Sequence, residues 1–187
     1  MKTNFYIIMG VSGCGKSSVG QALAASLGWD FYDADDFHPP ENIAKMASGI
    51  PLTDHERRPW LTTLHDLIHI CLQEGRPGIL TCSALKERYR HILMDGNPGV
   101  QLVYLRGSYE LIRARMQARA GHYMQSHMLK SQFDILEEPQ NALVIDVKLS
   151  LNEIVAKIRG HQWNDVHQPY PFEKRSKENL WKKQILE

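Results

Sequence analysis

Residues 10–17 read Gly10-Val11-Ser12-Gly13-Cys14-Gly15-Lys16-Ser17, a complete G-x-x-x-x-G-K-[ST] phosphate-binding loop. The chemistry this pattern offers is the cradling of a nucleoside triphosphate. Its glycines let backbone N–H groups turn inward around an anion. The helix expected to begin near Lys16 aims its positive end at the phosphates, and Lys16 brings a mobile charge to the outer ones. Ser17 offers a hydroxyl to Mg2+. Cys14 stands where only the backbone is needed.

Phosphoryl transfer with a metal also needs a carboxylate near the loop, which motor-type ATPases place at the end of an apolar strand. Here Ile79–Cys82 runs into Ser83 and Leu102–Leu105 runs into Arg106, so neither strand supplies it. The acids instead follow the second apolar segment, in Phe31-Tyr32-Asp33-Ala34-Asp35-Asp36-Phe37-His38-Pro39. In a parallel sheet the carboxyl ends of the strands share one edge, which brings Asp33 and Asp35 beside the γ-phosphate. With period-two alternation both face the same way, one toward the metal or its waters and the other toward an acceptor hydroxyl. The competing role is ordinary, since Asp also caps helices and solvates turns.

Cations should converge on such a site, because the reaction is mostly positioning and charge neutralisation. Three groups are available: Arg57 and Arg58; Lys86 and Arg90; and Arg113, Arg115 and Arg119 before Gly121-His122. Surface Lys and Arg are commonly just solvated. Lys86 has the best position, past the end of a strand, while Arg115 and Arg119 share one helix face, as in a closing lid. His38 and His122 are single candidates. The histidines and cysteines show no zinc-site spacing, so no zinc is assigned.

The elements that must position these residues are strands alternating with helices. Phe5–Met9, Phe31-Tyr32, Ile79–Cys82, Leu102–Leu105 and Leu143–Val147 are the strand candidates. Their alternation with helical segments means a parallel sheet covered on both faces. Val19, Leu23 and Leu27 follow the loop at helical spacing. Trp60, Leu61, Leu64, Leu67, Ile68 and Leu72 make an amphipathic helix, with Thr53 and Glu56 as its capping box and Gly75 as its stop. Ser150 and Glu153 open a last helix that ends at Gly160. Beyond it, Trp163, a Pro169-Tyr170-Pro171 turn and the set Leu180, Trp181, Ile185 form an extension over 161–187, expected to be partly helical and to lie on the domain or on a partner subunit.

At 187 residues the chain fits one α/β domain. Lys and Arg total 22 against 21 Asp and Glu, a net charge of +1, which calls for neither nucleic acid nor a membrane surface. A small molecule is the expected partner. Three scattered cysteines and the want of an apolar leader point to free thiols and a cytoplasmic address.

From Ile8 to Ile158 the chain resembles the gluconate kinases, P-loop small-molecule kinases related to shikimate and adenylate kinases. The resemblance rests on Gly10-Val11-Ser12-Gly13, Asp33-x-Asp35-x-x-His38-Pro39, Asn42-x-x-Lys45-Met46, Gly49-x-Pro51-Leu52-x-Asp54-x-x-Arg57-x-Pro59-Trp60-Leu61, Cys82-Ser83-Ala84-Leu85-Lys86-x-x-Tyr89-Arg90, Gly121-His122-Tyr123-Met124 and Leu129-x-x-Gln132-Phe133. It implies a three-layer P-loop kinase fold over 1–160 with a mobile helical lid at about 113–137. It implies ATP and Mg2+, a homodimer, and transfer of phosphate to the 6-hydroxyl of D-gluconate.

By the same resemblance, Lys16 and Ser17 handle phosphates and metal, Asp33 the metal's hydration shell, and Asp35 is the base or orienter. His38, Lys45, Arg57, Lys86 and Arg90 face the sugar acid. Arg115 and Arg119 neutralise the transferring phosphoryl group. Glu56 departs from the pattern, which has Asp there, and the extension lies outside it. A GTPase-like switch or a non-catalytic nucleotide-binding module needs N-K-x-D and D-x-x-G motifs that the chain does not carry. Residue types alone leave the acceptor open among gluconate, shikimate-like acids, nucleotides and other sugar acids.

Overall fold

The computed structural model describes residues 5–118 and 126–161. Five strands, β1 (Phe5–Met9), β2 (Asp30–Asp33), β3 (Gly78–Thr81), β4 (Val100–Arg106) and β5 (Leu143–Asp146), form one parallel sheet in the order β2-β3-β1-β4-β5. β1 is central and fully buried because both faces carry helices. Its side chains alternate between two cores. Phe5, Ile7 and Met9 face one, and Tyr6 and Ile8 the other.

The first core is closed by α3 (Asp54–Gln73), through Trp60, Leu61, Leu64 and Ile68, and by α4 (Glu87–Met94), through Tyr89 and Leu93. The second is closed by α1 (Lys16–Leu27) with Val19 and Leu23, and by α7 (Leu151–Gly160) with Ile154 and Ile158. α5 (Tyr109–Ala118) adds Ile112 and α6 (Ser126–Asp134) adds Leu129 to that same core. A short α2 (Pro40–Ala47) stands before α3. Both expected capping boxes form: Thr53 with Glu56, and Ser150 with Glu153, each side chain meeting the other's backbone N–H.

The strands match the sequence reading to within a residue or two at their ends. β3 begins one residue earlier, at Gly78, where a Cβ would lie 2.6 Å from the Phe5 ring. Among the described residues no helix is long and apolar enough to cross a membrane. The expected lid spans the end of α5, residues outside the described set, and α6. The extension from residue 162 onward, with its expected partial helicity, lies outside the described residues too.

Candidate active site

The phosphate loop joins the carboxyl end of β1 to α1. Gly10 has φ 147°, and a Cβ there would stand 2.8 Å from the Leu105 carbonyl oxygen; Gly13 has φ 79°, and a Cβ there would strike Met116 of α5. Any side chain at either place is therefore refused twice, by backbone conformation and by space. α1 starts without a side-chain cap and without an acid in its first turn, so its amino-terminal N–H groups face the loop's concavity. Lys16 Nζ donates to the Val11 carbonyl at 3.1 Å. Cys14 is buried and burial raises its thiol pKa, which keeps it an inert thiol.

The acid pair comes to this loop as the strand-end argument expects. Ser17 Oγ donates to Asp33 Oδ2 at 2.9 Å, joining the two oxygens expected at a metal. Asp33 also caps the 3-10 turn Ala34–Phe37, accepting from the Asp35 N–H at 3.2 Å, so its capping and site roles coexist. Asp35 has exposed surface, yet neighbouring protein partly desolvates its carboxyl. That partial desolvation, with the Asp33 charge adding, raises its pKa above the ordinary carboxylate range, against the pull of Lys16. Among the described residues no cluster of three or more His, Cys, Asp or Glu could hold a metal. The Ser17 hydroxyl and the Asp33 carboxylate, two hard oxygens at the phosphate loop, are a donor set that suits Mg2+.

His38 follows the acids and is 9% exposed. Its ring stacks on Trp60 at 4.1 Å and 14°, and its Nδ1 has no hydrogen-bond partner in the protein. Burial lowers its pKa; Asp35 opposes this and Arg57 assists it, so His38 stands between the acid pair and the cations. Trp60, read from sequence as core alone, also donates Nε1–H to the Ala34 carbonyl at 2.8 Å and so fixes the turn between the two acids.

The cations gather on Tyr89. Arg57, Lys86 and Arg88 lie 5.8, 5.6 and 5.6 Å from its ring centroid. Asp54, at the start of α3, accepts from Lys86 Nζ at 3.1 Å and from the Arg88 guanidinium and the Tyr89 hydroxyl. The Tyr89 hydroxyl bond, with Lys86 and Arg88, holds the Asp54 carboxyl below its usual pKa. Arg57 Nη1 donates to the Leu52 carbonyl at 2.5 Å and to the Tyr89 hydroxyl at 3.4 Å. Asp54, Arg88 and Tyr89 were not singled out by sequence as site residues; the signal was available in the quoted motifs that hold Asp54 and Tyr89.

Three expected ligands rest on protein oxygens in this structure. Arg90 is 2% exposed, with Nη1 on the carbonyls of Ala84 and Leu85 at 3.0 and 3.1 Å. Ala84 has φ 44°, an uncomfortable conformation for alanine, so Arg90 clamps the strained turn that presents Lys86. Lys45 pairs with Glu56 at 2.7 Å; Glu56, its pKa drawn down to about 2 chiefly by that bond, serves as capping residue and as anchor for α2. Arg115 Nη2 is held on the Val147 carbonyl at 2.8 Å, though its charge still reaches the Cys14 thiol in the loop. Arg119 and His122 lie outside the described residues. A groove of about 690 Å³ runs along β5 and α7, at the opposite sheet edge from the acids, and contains none of these groups.

The shikimate kinase family profile matches residues 12–160. The thermosensitive gluconokinase of Escherichia coli (strain K12) is 46% identical over 153 residues, covering 82% of each chain. The thermoresistant gluconokinase of the same organism is 42% identical over 157 residues, covering 82% of this chain and 90% of its own. Among solved structures, a gluconokinase from Sinorhizobium meliloti 1021 superposes with a TM-score of 0.75 at 42% identity, covering 84% of this chain and 90% of its own. With its phosphate loop, paired acids and parallel five-stranded sheet, the chain belongs to the gluconokinase family and carries the shikimate kinase-type P-loop domain.

Proposed function

We propose that the protein transfers the γ-phosphoryl group of ATP to the 6-hydroxyl of D-gluconate, giving 6-phospho-D-gluconate and ADP. The observation that carries this reading is the paired arrangement of Asp33 and Asp35: one bonded to the Ser17 hydroxyl of the phosphate loop, the other beside Lys16 with a raised pKa. The family relationship supports the choice of acceptor.

The chemistry is a displacement in line. The acceptor O6 bonds to phosphorus, the bond from phosphorus to the β–γ bridging oxygen breaks, and the hydroxyl proton passes to the Asp35 carboxylate. An elevated pKa makes Asp35 a better proton acceptor than an ordinary carboxylate. Lys16 exchanges the Val11 carbonyl for phosphate oxygens. Ser17 and Asp33 hold Mg2+, which supplies neutralising charge to the triphosphate. Arg57 and Lys86 take the acceptor's carboxylate, with Tyr89 beneath them and Asp54 limiting the excess of positive charge. The His38 ring, stacked on Trp60, lines the acceptor side between the acids and Arg57. Arg115 would leave the Val147 carbonyl to join Arg119 in neutralising the transferring phosphoryl group as the lid closes. A cytoplasmic homodimer completes the proposal, and sedimentation tests the dimer.

An acceptor panel tests the reaction. With ATP and Mg2+, ADP release should depend on D-gluconate and stay near background with shikimate or nucleoside monophosphates. Faster ADP release with one of those acceptors would overturn the proposed specificity.

A further inference from the structure

One hydrogen bond at the phosphate loop has no part in the reaction just described. The Ser12 N–H donates to Gln132 Oε1 at 2.6 Å, across 120 residues of chain. The carbonyl of the same peptide unit, Val11, accepts from Lys16 Nζ at 3.1 Å. The Val11–Ser12 peptide is thus gripped at both ends: on its oxygen by the loop's own Lys16 and by the Cys14 N–H at 3.3 Å, and on its nitrogen by a distant glutamine, its one grip from outside the loop among the described residues. Because the partner is an N–H, the carboxamide atom facing it is its oxygen.

Gln132 is not a loose surface side chain. Its helix α6 is seated by Leu129, 1% exposed in the core that contains Val11 and Cys14, and by Phe133, whose ring meets Tyr109 of α5 edge-on at 5.5 Å. Just past α6, Glu137 ties the segment to the loop after β3. Its N–H donates to the Leu85 carbonyl at 2.9 Å, and its carboxylate accepts from the Glu87 N–H at 2.6 Å. The helix that carries the carboxamide is therefore braced against both the phosphate loop and the turn that presents Lys86.

We infer that Gln132 is a positioning residue of the phosphate loop: its carboxamide oxygen fixes the Val11–Ser12 peptide so that the Val11 carbonyl faces Lys16 and the loop is preshaped for a triphosphate. A peptide unit of a glycine-rich loop turns easily when nothing holds it, and a turned unit would aim the Val11 oxygen elsewhere and leave Lys16 without its resting partner. Only an uncharged acceptor suits this place, because a carboxylate would make the same bond while repelling the phosphates. This role rests on the proposed use of ATP and lies on the nucleotide side, away from Arg57 and Lys86.

Two variants test it, with a non-hydrolysable ATP analogue and Mg2+ measured by titration calorimetry and with steady-state kinetics alongside. Gln132→Leu keeps the volume and removes the acceptor; analogue affinity should fall roughly five- to tenfold, as for loss of one partly buried hydrogen bond, with KM for D-gluconate unchanged. Gln132→Glu keeps the acceptor; its ligand-free melting temperature should match the parent's, while analogue affinity falls further than in Gln132→Leu. Parent-like analogue affinity in either variant overturns the inference, as does a rise confined to KM for D-gluconate. Should Gln132→Leu not fold, Gln132→Glu alone decides. If the parent binds the analogue but releases no ADP with D-gluconate, the proposed acceptor falls and this inference still stands or fails on the titrations.

Discussion

Replacing Arg90 by methionine separates two roles that an arginine after β3 can have, acceptor ligand or clamp. Its Nη1 lies on two backbone carbonyls, Ala84 and Leu85, in a turn where Ala84 holds φ 44°. Methionine fills much of the volume and leaves both carbonyls without that donor. The Ala84 carbonyl left unsatisfied costs about 1–3 kcal/mol, and the Leu85 carbonyl, which keeps the Glu137 N–H, loses one charge-assisted bond worth about 1.5–3 kcal/mol, together about 2.5–6 kcal/mol. Relief from burying a guanidinium offsets part of this, leaving about 2–4 kcal/mol. For a chain of this size that is a fall in melting temperature of roughly 4–16 °C. The assay is thermal unfolding followed by circular dichroism, with KM for D-gluconate measured well below the transition. The clamp reading expects a clear drop in Tm and a KM changed only as far as Lys86 is displaced. A variant that melts with the parent but shows KM raised tenfold or more would refute the reasoning and return Arg90 to the acceptor.

Lys86→Met should raise KM for D-gluconate by roughly ten- to a hundredfold, the loss of one charge-assisted hydrogen bond, while KM for ATP stays put; steady-state kinetics with each substrate varied in turn checks this. Asp35→Asn should lower kcat by about a hundredfold or more, with the fold intact by circular dichroism. The same variant should be more stable than the parent at neutral pH. Because the folded-state pKa of Asp35 is raised above its unfolded value, the folded protein binds that proton more tightly; stability falls as pH rises through the window between the two values. The stability difference between Asp35→Asn and parent should therefore shrink as pH is lowered through that window, and melting curves at a series of pH values would show it. His38 acts the other way. Its lowered pKa means stability lost as pH falls below the ordinary histidine value, and His38→Asn should lessen that acid sensitivity in the same melts.

What could be read from sequence was what is local. The phosphate loop sits on contiguous residues, and each capping box links positions three apart, so Thr53 with Glu56 and Ser150 with Glu153 were visible before any fold was known. Asp33 and Asp35 were placed by a topological rule, since strand ends in a parallel sheet share one edge. The fates of Lys45, Arg90 and Arg115 were not legible, because each depends on an acceptor supplied from elsewhere: Glu56 from the next helix, carbonyls of a left-handed turn, and the Val147 carbonyl beyond β5. A lone basic residue in sequence does not announce which oxygen it will meet. Asp54 and Tyr89 are 35 residues apart and Ser12 and Gln132 are 120 apart; such pairings exist only after the sheet has ordered its crossovers.

The account as a whole turns on where the phosphoryl group goes. Incubating the protein with ATP, Mg2+ and D-gluconate and reading the product by phosphorus–proton correlated NMR tests this directly. One phosphomonoester should appear, coupled to the two protons of the terminal C6 methylene and formed mole for mole with ADP. ADP formed at the same rate without D-gluconate, or phosphorus coupled to any other carbon's proton, would contradict it.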